Sequence, residues 1–174
     1  MVTERKAGEF VMYPNGGVCL IEGVETRDFS GEKKSYYVMH PLSNPMSKIF
    51  VPIDSEKLTA LMTPLIGHDE IDGVIKSAEA SGNCWISDHK LRAERFTELL
   101  RGGERGDLLW LIKTLSLHKA EMTKQKRRIY ATDERVLCSA TKLITEEFSF
   151  VLGIKEDEVI PYIRERVALF AGAS

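Results

Sequence analysis

Glu9-Phe10-Val11-Met12-Tyr13-Pro14-Asn15-Gly16-Gly17-Val18-Cys19-Leu20-Ile21 is the stretch that decides the fold. Glu9 to Tyr13 is β-prone, and Pro14 to Gly17 is a turn because Asn and Gly tolerate positive φ. Val18 then opens a long strand running to Phe29, in which Gly23 predicts a bulge, since glycine adds no side chain to pack. Ser30-Gly31-Glu32-Lys33 is a polar turn between β-rich runs, which predicts a hairpin. Tyr36-Tyr37-Val38-Met39 is apolar on both faces, as in a strand of a small closed barrel or at an interface. After a loop from Pro41 to Ser47 the chain alternates. Ile49, Val51 and Ile53 share one face; Lys48, Phe50 and Pro52 share the other.

From about residue 67 the apolar period becomes helical. A short helix is expected from His68 to Ala80, then a loop at Asn83-Cys84-Trp85-Ile86. Ser87 reads as the N-cap of a second helix ending at Gly102-Gly103. A third helix, from Asp107 to about Met122, carries Leu108, Leu111, Ile112, Leu115 and Met122 on one side, with Trp110, Thr114 and Leu117 on another. It is expected to be covered twice. Thr132 reads as the cap of a fourth helix in which Val136, Ala140, Leu143, Ile144, Glu147 and Val151 follow the repeat, closed by Gly153. A last helix is expected from about Glu156 to Phe170, with three acids in its first turn. The fold class is therefore α+β: a β module over residues 1–66, with a linker from about 54, and a bundle of about five helices over 67–174.

The chain has 174 residues, 43% of them apolar and 29% charged, which excludes a mostly disordered protein. Its 24 Lys and Arg stand against 26 Asp and Glu, a net charge of -2 that excludes a globally basic nucleic-acid coat. Cys19, Cys84 and Cys138 are widely spaced, without disulfide-framework or zinc spacing. A reducing, cytoplasmic setting is expected, and no signal-peptide or membrane-length apolar run is present.

No nucleotide loop, dinucleotide fingerprint or His-Glu-x-x-His motif occurs. His68-Asp69-Glu70 reads as a polar first turn rather than a metal cluster. Cys84 and His89 read as a loop thiol and a surface imidazole rather than a hydrolase pair, and His118 stands isolated on a helix. No catalytic residue, metal, cofactor or small-molecule substrate is expected. Lys119, Lys124, Lys126, Arg127 and Arg128 cluster against a single acid, Glu121. They suit either a helix C-terminus and solvated loop or a phosphate contact. Lys90, Arg92, Arg95, Arg101 and Arg105 are interleaved with acids, as on a solvated face. Trp85, in a loop with cations nearby, suits either a core position or an aromatic wedge at an unstacked base step. Phe50 beside Lys48 suits either a protein-binding edge or a singly exposed ring, and Arg27 beside Asp28 suits either a partner contact or a local ion pair.

Val11-Met12-Tyr13-Pro14-Asn15-Gly16-Gly17-Val18, with Ile21-Glu22-Gly23-Val24-Glu25-Thr26-Arg27 after it, resembles the CarD-like family of bacterial transcription regulators. The Gly31-Glu32 hairpin, the Tyr36-Tyr37-Val38 strand, the Val51-Pro52 strand end, and a Trp before a basic helix share in the resemblance, which spans nearly the whole chain. It implies a Tudor-like module of the kind also found in transcription-repair coupling factors, docking by an exposed strand on the protrusion lobe of the RNA polymerase β subunit. It implies a helical domain that contacts promoter DNA at the upstream edge of the melted region, where the Trp wedges into the minor groove. On this resemblance Arg27 matches the polymerase-contacting Arg, Trp85 the wedge, and Lys90, Arg92 and Arg95 the basic helix. Two departures follow: Phe50 stands where relatives often carry Arg, leaving that contact apolar or to Lys48, and Ile86-Ser87-Asp88 after the Trp are less basic. The rival expectation is a protein–protein adaptor whose helical half does not touch DNA.

Overall fold

The structure, a computed structural model, describes residues 4–79 and 81–172. A tight turn reverses the chain between β1 (Phe10–Tyr13) and β2 (Gly17–Asp28). The Gly16 amide donates to the Tyr13 carbonyl at 2.9 Å, and Gly17 follows with φ 70°. This is a three-residue hairpin loop closed by a glycine bulge. At Gly16 a Cβ would lie 2.6 Å from Ile49 Cδ1 and 2.8 Å from Cys19 Sγ, so any side chain there would make these two side chains shift.

β2 pairs antiparallel with β3 (Lys33–Pro41), with the register shifting between Ile21 and Gly23, the bulge the sequence predicts. β4 (Ile49–Pro52) pairs with β3, and a two-residue β5 (Thr63–Pro64) pairs with β1. The resulting antiparallel sheet has the order β4-β3-β2-β1-β5, with β4 and β5 at its edges. Val11, Tyr13, Cys19, Ile21, Tyr37, Met39, Val51 and Met62 form its core. The segment expected as a linker from about residue 54 is ordered. Its short helix α1 (Glu56–Thr59), capped by Ser55, is followed by β5, and Leu58, Leu61 and Met62 pack on the sheet core.

The helical half starts with a 3-10 turn at His68–Glu70 and α2 (Ile71–Glu79); the end expected at Ala80 lies outside the described residues. α3 (His89–Gly102), α4 (Arg105–Lys124), α5 (Ala131–Leu152) and α6 (Glu156–Gly172) follow. Two caps differ from expectation. Asp88, not Ser87, starts α3, its carboxylate accepting from the Lys90 and Leu91 amides at 3.0 Å; an ionised acceptor suits the positive end of the helix better than a hydroxyl. Thr132 lies inside α5, whose N-cap is Tyr130, because Asp133 sits in the first turn facing the interior.

α4 buries Leu108, Leu111 and Leu115 and packs against α2, α3 and α5, but Leu117, expected under a second cover, is 63% exposed. Two carboxylates hold α5 in place. Glu147 accepts from Arg105 at 2.7 and 3.0 Å and from the Ile66 amide at 2.8 Å, while Asp133 meets Arg92. The chain divides into two compact units, Met1–Leu65 and Ile66–Ser174. Among the described residues no helix is long and apolar enough to cross a membrane.

Candidate functional site

Two surfaces gather the residues that the sequence singles out. The first lies on the sheet, where β2 and β3 reach their hairpin and β4 forms an edge. Phe50, expected to face outward either on a protein-binding edge or as a singly exposed ring, is half-buried in an aromatic cluster. Its centroid lies 5.4 Å from that of Phe29 and 6.3 Å from that of Tyr36, in edge-to-face geometry. Phe29 meets Tyr36 in the same way at 5.2 Å, and the cluster covers the outer face of Tyr36, as its two-sided apolar run implies. The Arg27 guanidinium stands 5.8 Å from the Phe50 centroid and binds Glu25 at 2.6 Å. Lys48 reaches the same Glu25 at 4.0 Å and Glu22 at 3.3 Å.

Arg27, Lys48 and Phe50 are thus brought to one patch, with the acids that hold the two cations in position. His40 completes the row. Its Nε2 lies 2.7 Å from Glu22, and its Nδ1 lies 3.0 Å from the Ser47 carbonyl and 3.1 Å from that of Pro45. The hydrogen bond to Glu22 raises the imidazole pKa above its ordinary value. The same bond, helped by Lys48, holds the Glu22 carboxyl below the usual range. Phe29, 62% exposed, is a member of this surface that sequence reasoning missed; the one signal for it is an apolar residue abutting the polar turn at Ser30-Gly31-Glu32-Lys33.

The second surface surrounds Trp85. The indole is 38% exposed, held by Phe96 at 6.0 Å, His118 at 4.4 Å and the Arg92 guanidinium at 4.5 Å. It is neither sealed in the core nor loose. Arg92 itself is a correction: expected among DNA-contacting cations, it is 2% exposed. Its Nε and Nη2 fork onto Asp133 at distances from 2.7 to 3.2 Å, and Nη1 donates to the Ile86 and Ser87 carbonyls at 2.9 and 3.2 Å. Four of its five N–H donors serve the loop that carries Trp85 or the start of α5, and at 2% exposure the group is withdrawn from any phosphate. Helical spacing held the signal, because Arg92, Phe96 and Leu99 share the buried stripe of α3.

The other cations divide. Arg95 pairs with Glu98 at 3.1 Å, and Lys119 with Glu134 at 2.6 Å, a contact that raises the Lys119 pKa. Lys90, Lys124, Lys126, Arg127 and Arg128 are exposed and carry no ion pair among the described residues. The turn holding the last four ends α4 through paired bonds, Lys126 N–H to the Thr123 carbonyl at 2.9 Å and Arg127 N–H to that of Met122 at 2.8 Å. It leads directly into Tyr130, whose ring lies 5.7 Å from the same Arg92 guanidinium that Trp85 covers. One buried arginine therefore ties the Trp85 loop to the end of the basic turn.

Residues of the enzyme-like clusters make local contacts. Glu70 accepts from the Gly67 amide at 2.7 Å, and His89 lies flat on Tyr130. Among the described residues no group of three or more His, Cys, Asp or Glu is arranged to hold a metal ion.

The family model of the CarD-like/TRCF RID domain matches residues 6–66. Those residues belong to the CarD-like/TRCF RID domain family. The Arg27, Lys48 and Phe50 patch lies within the RID domain; Trp85 and the basic turn lie outside it. A Bacillus subtilis (strain 168) protein named "Putative transcription factor YdeB" is 22% identical over 162 residues, covering 87% of this chain and 95% of that one. The similarity to that relative therefore extends past the RID domain through the helical half.

Proposed function

We propose that this CarD-like protein is a non-catalytic transcription regulator. Its RID domain binds the protrusion lobe of the RNA polymerase β subunit, and its helical half stabilises the open promoter complex at the upstream edge of the melted DNA. The observation that carries the reading is the half-exposed Trp85 in a fixed socket, tied through Arg92 to a turn whose four exposed cations carry no ion pair among the described residues. An indole held this way suits wedging into a base step whose stacking is already lost, while the cations suit the phosphates beside it.

Binding energy realised only with melted DNA shifts the closed–open equilibrium toward open. A chain of net charge -2 has little nonspecific affinity for duplex, which rises with the number of phosphates neutralised. Tethering to polymerase supplies the local concentration that lets one ring and a few cations suffice. On the RID side, Arg27 with its Phe50 and Phe29 backing offers a cation on an apolar shelf beside an edge strand, features suited to a partner strand. Capture on the isolated polymerase β lobe tests this docking: the wild type is retained and Arg27→Glu is lost, with the circular dichroism of the two unchanged. Equal retention of both would remove Arg27 from the contact.

A second reading, an adaptor whose helical half binds protein instead of DNA, draws on an apolar groove of about 290 Å³ between α2, α4 and α6, lined by Ile75, Leu109, Ile112, Ile160 and Val167. That groove is lined by neither Trp85 nor the basic turn. Ile112→Glu therefore impairs function under the adaptor reading, whereas under the DNA reading Trp85→Ala does.

A further inference from the structure

Two residues, one in the basic turn and one just after it, stand where the local backbone favours something else. Lys126 ends α4 in the left-handed conformation, φ 56°, the only non-glycine residue among those described to do so. Glycine takes this helix-ending position without strain. Tyr130 occupies the N-cap of α5 with no side-chain capping bond, where Ser, Thr, Asp or Asn would satisfy a free amide. Each departure places on the surface a group that a nucleic acid takes, a cation and an aromatic ring. Departures from local preference concentrate where a surface is used.

Tyr130 is 53% exposed, and its ring lies on that of the exposed His89 with centroids 4.7 Å apart and planes 6° from parallel. Neither ring belongs to the apolar core, so burial does not account for the stack. We propose that the His89–Tyr130 pair is a stacking platform for an unpaired DNA base, separate from Trp85, with Lys124, Lys126, Arg127 and Arg128 holding the backbone of that strand. This rests on the reading above that the helical half meets melted DNA. A π-face accepts any base, and the adjoining cations neutralise phosphate without reading sequence. Trp85 and Tyr130 share Arg92, so wedge and platform serve neighbouring positions: one at the disturbed step, the other at a base already freed.

Tyr130→Asn separates the platform from a structural role, because Asn is uncharged and a favoured N-cap. The full-length protein is assembled on polymerase with forked promoter DNA bearing a single-stranded segment, and dissociation of the fork is followed beside thermal unfolding. The platform predicts dissociation about tenfold faster for Tyr130→Asn and for His89→Ala, with Tyr130→Phe close to wild type. The unfolding temperature of Tyr130→Asn stays level or rises by a few degrees. A lowered unfolding temperature in Tyr130→Asn would make the ring structural and overturn the proposal. Unchanged fork dissociation in Tyr130→Asn, with Trp85→Ala accelerating it, would overturn the platform and leave the wedge standing. Unchanged dissociation in both variants would remove the DNA reading and the platform with it.

Discussion

His40 sits among three oxygens, the Glu22 carboxylate and the carbonyls of Pro45 and Ser47. A protonated imidazole satisfies this arrangement through both ring nitrogens, which is why its pKa is raised. The contribution of His40 to stability is complete below the unfolded imidazole value, near 6.5, and fades as pH rises through its higher folded value. Glu22, with a lowered pKa, contributes fully above its unfolded value and loses that contribution as pH falls through the folded one. NMR titration is expected to place the His40 midpoint above about 6.5, and Glu22→Gln to bring it back down. The pairing was not legible in the sequence, since it joins residues 18 apart across a bulged strand pair. In the β1–β2 hairpin, Gly17→Ala, at φ 70°, is expected to lower stability by about 1 kcal/mol in chemical denaturation.

The order of the elements was legible because β1 to β4 and α3 to α6 carry their period in the apolar residues, and Gly23, Gly103 and Gly153 mark a bulge and two helix ends. The polar groups that lock the helices were harder to read. Glu147 stands on the apolar stripe of α5 and Arg92 on that of α3, and a charged residue at a stripe position signals a buried partner that one sequence leaves unnamed. Likewise, α5 begins at Ala131 rather than after Thr132, because tertiary burial of Asp133 outweighs the capping preference of a hydroxyl. Removing one partner of the Arg92–Asp133 pair leaves the other charge buried and unpaired. Asp133→Ala is expected to lower unfolding free energy by about 3–5 kcal/mol, and the double variant Arg92→Met/Asp133→Leu by less than the sum of the single changes. A small loss for Asp133→Ala would show the pair to be more solvated than its 2% and 1% exposures imply.

The whole molecule joins two units of different construction, a sheet with a charged aromatic shelf and a helical bundle in which Arg92 links a fixed indole to Tyr130 at the end of the basic turn. The family match covers the first, and the similarity to the Bacillus relative runs on through the second. The Arg27 patch was legible as residues but not as a patch: Phe29 and Glu25 join it only once the hairpin folds. For Trp85 the sequence left core and wedge both open, and the 38% exposure in a three-sided socket favours the wedge. At this scale the proposed division of labour makes free duplex a poor ligand and polymerase-bound melted DNA a good one, so the isolated chain should retard duplex only at low salt.

The most direct measurement is the lifetime of the open promoter complex, challenged with competitor, for polymerase carrying wild-type protein or Trp85→Ala at equal occupancy. Wild type is expected to lengthen the lifetime, and Trp85→Ala to shorten it by about tenfold while remaining bound to polymerase. A Trp85→Ala complex as long-lived as wild type would mean that Trp85 does not hold the promoter open.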